Sequence, residues 1–252
     1  MAAIFGDLQY GLRTMRKTMG FTAVAVLTMA VGIAANTTVF SWINATLLHP
    51  FPGAGDPARI VALETLAPSG EHLTTSYPDY RDLRDGTKLL DGIAVMQPRP
   101  LNIGEGVRAE RVWAELVSGD FFDVLRVKPA VGRFFVGKER DDAPGGHPVI
   151  VISYKLWRTH FHSNPAIVGT AVHVNRYPFT IIGVAPEHFG GSMANLAFDL
   201  WAPATMFGEL TAAGDFYIGD RRTRMFLSLA RLKAGVTIEQ GRAEPTPRRG
   251  RA

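Results

Sequence analysis

The chain has 252 residues and no cysteine, which excludes disulfides, iron–sulfur clusters, thiol catalysis and the usual structural zinc sites. Its formal net charge of +4 lies at the two ends, where Arg13, Arg16 and Lys17 face only Asp7 and where Arg242, Arg248, Arg249 and Arg251 face only Glu244. The ends thus hold a surplus of five positive charges, and the middle, one net negative with both signs interspersed, reads as an ordinary solvated surface and not as a nucleic-acid footprint.

Over residues 1–20, Ile4, Phe5, Leu8, Leu12 and Met15 recur at helical spacing while Arg13, Arg16 and Lys17 share a polar sector. This predicts a cytoplasmic amphipathic segment on the inner membrane face. Residues 21–48 then run for 28 positions without a charge. A span needs about 20 apolar residues, whereas a signal-peptide core has about 7 to 15, so the pattern predicts a retained transmembrane helix. The first basic residue beyond it is Arg59, after His49 and Asp56, so Arg13, Arg16 and Lys17 orient the N-terminus to the cytoplasm. Thr28, Gly32 and Asn36 fall four apart and make a ridge of small or polar side chains that faces either another helix or lipid.

Pro50, Pro52, Gly53, Gly55 and Pro57 mark residues 49–57 as a linker, and residues 58–241 read as a mixed α+β domain. Ile60–Leu63 predicts a strand; Ser76 ahead of Tyr77-Pro78 predicts a capped helix to about Asp85. Gly92–Met96 and Leu101–Ile103 read as two brief strands. Arg111–Val117 alternates, which predicts a half-buried strand with Arg111, Trp113 and Glu115 on the solvent side. Ser118 is expected to cap a short helix through Phe121, Phe122 and Leu125. Val149–Ile152 reads as a strand buried on both faces, followed by a helix capped by Ser153. Ala171–Asn175 and Phe179–Val184 predict a hairpin turning at Arg176-Tyr177-Pro178. After a last strand, Arg224–Leu232, Thr237 and Gln240 have the spacing of a capping box. Pro245 and Pro247 forbid continuation of that helix, so residues 242–252 read as a disordered basic tail.

Asp7 to Arg13 leading into Gly20 to Thr28, then Gly32 to Thr37 with Val39-Phe40-Ser41, resembles the opening of MacB-like and FtsX-like ABC transporter permeases. Val117 to Leu125 with Gly132-Arg133, Leu156-Trp157 with Asn164-Pro165 and Val168-Gly169, and Phe179 to Pro186 resemble the periplasmic core domain of that family. The resemblance extends from residue 1 to about 241. With the one span at residues 21–48, the expectation is a single-pass inner-membrane protein; the resemblance implies that its main domain lies in the periplasm and serves transport or mechanotransmission. The implied partners are the lipid bilayer, a separate ABC ATPase, a further permease polypeptide and, as one arrangement, other copies of the chain. It also implies that the relatives continue beyond residue 241, so the chain is expected to be a truncated permease. A tethered binding or scaffold module without transport activity is the alternative.

No residue pattern predicts a cofactor or catalysis. Gly132 to Lys138 has the spacing of a phosphate-binding loop, but Glu139 stands where a hydroxyl must ligate magnesium, and the glycines read as turn residues. His160 and His162 lack a nameable third ligand. Glu139, Asp141 and Asp142 read as a solvated acidic loop, and Ser192 lacks the spacing of a nucleophile elbow.

Overall fold

The computed structural model describes residues 13, 17–43, 51, 53–67, 69–104, 106, 109–194, 196–211, 214 and 216–243. It divides into two units, Met1–His49 and Pro50–Ala252. Most of the amphipathic segment at residues 1–16, together with residues 44–50 and the tail at 244–252, lies outside the described residues.

The first unit holds helix α1, Met19–Ile43, in which no residue is buried. Its 25 residues extend about 37 Å at 1.5 Å per residue, more than the roughly 30 Å of a bilayer's hydrocarbon. It contains no charged residue, and its apolar side chains point in all directions, as suits a helix surrounded by lipid. The hydroxyls of Thr28 and Thr38 donate to the carbonyls of Val24 and Ala34 at 2.8 and 2.7 Å, which satisfies these polar groups within the helix itself.

In the second unit, short strands β1 (Ile60–Leu63), β2 (Thr65–Leu66), β3 (His72–Leu73) and β4 (Thr75–Ser76) lead into α2 (Tyr77–Gly86) and the long β5 (Leu90–Ile103). Next come β6 (Glu110–Val117), α3 (Phe121–Val124), β7 (Val131–Gly132), β8 (Val149–Ile152) and α4 (Tyr154–Thr159). The chain then forms β9 (Ala171–Val174), β10 (Tyr177–Val184), β11 (Leu200–Pro203), α5 (Phe207–Leu210) and α6 (Phe216–Gly219), followed among the described residues by β12 (Arg224–Leu232) and α7 (Ile238–Ala243). Ten strands form one mixed sheet in the order β1-β12-β5-β6-β11-β8-β10-β7, with β4 beside β12 and β9 beside β10 and β5. The pairs β6–β11 and β8–β10 are parallel.

Both faces of the sheet are covered. One carries Tyr77 and Tyr80 of α2, Phe179, Phe207 and Phe226; the other carries Phe121, Phe122, Phe135, Phe189, Phe198 and Trp201. The β-branched run of β8 follows from this arrangement, because Ile150 and Ile152 enter the first cluster while Val151 enters the second.

The caps of α2 and α4 form as the sequence predicts: Ser76 Oγ accepts from Asp79 N at 3.2 Å and Ser153 Oγ from Leu156 N at 3.0 Å. The capping box of α7 is also present, with Thr237 N donating to Gln240 Oε1 at 2.9 Å and Gln240 N to Thr237 Oγ1 at 3.3 Å. Ser118 differs. It does not cap α3, whose N-cap is Asp120; its Oγ accepts from Val95 N at 3.1 Å on the neighbouring β5.

The two brief strands expected within residues 92–103 are one strand of 14 residues that runs through Pro98 and Pro100. β12 pairs with the first half, through Met96, and β6 with the second. Asn102 N points away from β6 to Asn175 Oδ1 at 2.9 Å. Pro98 and Pro100 share its parity, so the N–H groups that they lack belong to the side that has no partner strand between Met96, the last residue paired with β12, and Ile103, which meets β9, and there proline is tolerated. The β9–β10 hairpin turns one residue earlier than the sequence suggests. Asn175 and Arg176 both adopt positive φ, 48° and 73°, as a two-residue turn of the I′ kind requires, and Tyr177 and Pro178 already pair with Val174 and His173. Asn175 tolerates the left-handed conformation, and its Nδ2 donates to Leu210 O at 2.8 Å.

Candidate functional site

Residues 51 and 53–57, within the segment read from the sequence as a linker, pack on the domain. Phe51 and Ala54 pack against the aromatic cluster, and Gly55 N donates to Leu125 O at 2.9 Å. Gly53 has φ 82°, and a Cβ there would stand 3.1 Å from His188 O, so the segment approaches the backbone closely. Arg231 of β12 closes this dock. Its side chain is 1% exposed; Nε donates to Val124 O at 2.6 Å, Nη2 to Gly55 O at 2.7 Å and Nη1 to Asp56 O at 2.9 Å. Burial holds its pKa below the usual guanidinium value, and repulsion from Arg126 acts in the same direction. Arg59 adds bonds from Nε and Nη2 to Leu232 O at 2.8 and 2.5 Å. Around this site Arg59 and Arg126 both reach Asp56 and Asp91.

Glu115 is the second buried charged group. The alternation of β6 puts it on the side expected to meet solvent, where Arg111 and Trp113 are indeed exposed, yet Glu115 is 0% exposed. At this point in the strand the aromatic layer covers the second face. The Ser192 hydroxyl donates to Glu115 Oε1, and Trp201 Nε1 and Ser192 N donate to Oε2 at 2.9 and 3.4 Å. Burial pushes its carboxyl up to about 7, with the hydrogen bonds from Ser192 and Trp201 pulling the other way. Gly191, at φ 107°, lets the loop close over it: a Cβ there would come within 2.3 Å of the Phe198 ring and 2.9 Å of Glu115 Oε2.

Asp142 is also more engaged than a solvated loop implies. It accepts from Tyr77 Oη at 2.9 Å and from Arg84 Nη2 and Nη1 at 2.9 and 3.2 Å. Burial first, then the Asp142 charge, pushes the Tyr77 hydroxyl far above the usual phenol range. Glu139 accepts from both Nη atoms of Arg133 and from Val136 N, and Asp141 pairs with His147 Nε2 at 2.7 Å. Gly132 and Gly137 have positive φ, and a Cβ on Gly132 would meet Ile182 O at 2.4 Å, so Gly132 serves close strand packing. His160 pairs with Glu110 at 3.1 Å. Among the described residues no three His, Cys, Asp or Glu side chains gather as a metal set.

Of the membrane residues singled out by sequence, Arg13 and Lys17 are exposed and Arg16 lies outside the described residues. Thr28, Gly32 and Asn36 are exposed along one face of α1. Neither Arg231 nor Glu115 is marked by any local motif; a charge between apolar neighbours, Ala230 and Leu232 for the one and Ala114 and Leu116 for the other, is the one signal each offers.

The sequence matches the family model described as MacB-like periplasmic core domain over residues 22–246. The fold is similar to the periplasmic region of MacB from Actinobacillus actinomycetemcomitans, with TM-score 0.52 and 17% identity over 76% of this chain and 77% of that one. It is also similar to the extracellular domain of the ABC-type transporter YknZ from Gram-positive bacteria, with TM-score 0.50 and 14% identity over 70% and 84% of the two chains. At these identities the structural likeness is one of fold alone. No curated protein matches.

Proposed function

Since the chain belongs to the MacB-like periplasmic core domain family, that of a domain of ABC transporter permeases, we propose that it is anchored in the inner membrane by α1 and passes motion between the membrane and its periplasmic domain. The motion is driven by ATP hydrolysed on a separate cytoplasmic ATPase. The observation that carries this reading is the dock: the residues following an uncharged, unburied helix are fastened to the sheet by Arg231 and Arg59 instead of hanging as a free tether. Arg13, Arg16 and Lys17 set the N-terminus in the cytoplasm. The Thr28, Gly32 and Asn36 ridge faces a helix of a further permease polypeptide or of a second copy, because small side chains allow close helix approach.

Two measurements test the reading. Alkaline phosphatase fused after residue 235 is expected to be active in a bacterial host; an inactive fusion reverses the orientation. Purification in mild detergent from the native host is expected to bring down an ABC ATPase or a permease polypeptide, whereas recovery of the chain alone counts against transport.

A further inference from the structure

β1 follows the docked linker directly, has four residues and forms the edge of the sheet; its first rung pairs Ile60 with Arg231. Tension entering an edge strand at its first rung breaks the rungs one after another, each failing alone. Tension delivered to an interior strand meets two ladders at once. Arg231 stands at that first rung but on β12, which pairs with β1 on one side and β5 on the other. Its guanidinium takes hold of the chain ahead of β1, at Gly55 O and Asp56 O, and of the end of α3 at Val124 O. Charge-assisted hydrogen bonds in a site closed to water face little competition from solvent. The other guanidiniums at the dock, Arg59 and Arg126, are 23% and 45% exposed, and their ion pairs are correspondingly screened.

We infer that Arg231 is the positioning residue that delivers a pull or twist arriving along the linker to the interior of the sheet, bypassing edge strand β1. The inference rests on the reading that the domain follows its membrane helix, but the pin is a property of this chain and is measured without any ATPase.

The chain has no cysteine, so force handles can be placed uniquely. The full chain in detergent is stretched between His49→Cys and Ala234→Cys, on either side of the pin. The parent is expected to open in one cooperative event. Arg231→Met is expected to show an earlier, lower-force lengthening of roughly 4 nm, the contour of residues 51–63 at about 3.4 Å each, before the remaining sheet opens. Arg231→Lys, whose compact ammonium lacks the planar fork that spans three separate carbonyls, is expected to give the same early step at intermediate force, and it carries the comparison if Arg231→Met does not fold. A folded variant that loses thermal stability yet opens in one event like the parent gives Arg231 a structural role only and overturns the proposal. An early step in a chain that recovers no ATPase sinks the transport reading and leaves the pin standing; ATPase recovery without the step sinks the pin alone.

Discussion

At Glu115 the chain keeps a carboxyl in a place where ionisation is costly, with desolvation opposed by three donors from Ser192 and Trp201. Folded Glu115 holds its proton to about pH 7, whereas an unfolded glutamate releases it near 4.5. Between these values the native state binds the extra proton, so this group's contribution to stability falls as pH rises through the window and is fully present below pH 4.5. The difference corresponds to about 3 kcal/mol at most. Glu115→Gln, which cannot titrate, is expected to lose that slope. Urea unfolding of both proteins at pH 5 and pH 7.5 checks it, and an unchanged slope in the variant assigns the effect to another group. No local motif announces this site, since the donors lie 77 and 86 residues further along the chain, and the strand's alternation by itself points Glu115 outward.

Among the elements, α2 shows how far short-range chemistry reaches. Ser76, Pro78 and Asp79 specify its start within four positions: the hydroxyl accepts from Asp79 N, proline suits the first turn, and Asp79 favours the positive end of the helix dipole. Ser76→Ala is expected to destabilise the domain by about 1 kcal/mol, read as a lower urea midpoint at unchanged slope. Ser76 is fully buried and sits beside Arg224 of β12, so a midpoint that does not move would show that the helix is held by packing alone. The α4 and α7 caps were legible for the same reason. Ser118 was not, because its oxygen has a choice between α3 and Val95 N on the adjacent strand, and only the sheet determines which donor is nearer. Pro98 and Pro100 misled in the same way: proline interrupts a strand only where its missing N–H faces a partner, and β5 changes partners at Met96.

For the molecule as a whole, the proposed anchoring by α1 makes the most direct claim. Placing a charge in the middle of α1, Val31→Arg, is expected to cost roughly 2.5 to 3.5 kcal/mol in insertion and to lower the membrane-bound fraction in a carbonate-extraction assay. Full retention of the variant would mean that α1 does not lie across the hydrocarbon. The amino-acid sequence by itself determined α1, the capped helices and most strands, because uncharged length, cap residues and alternation act within a few positions of one another. It also carried the family resemblance, through motifs spread along the chain in a constant order. The docking of residues 51 and 53–59 and the burial of Arg231 and Glu115 were decided only by the tertiary structure. Arg231 meets Asp56 across 175 positions, and whether a charged side chain in a strand faces water or a carbonyl depends on what the rest of the sheet brings to cover it.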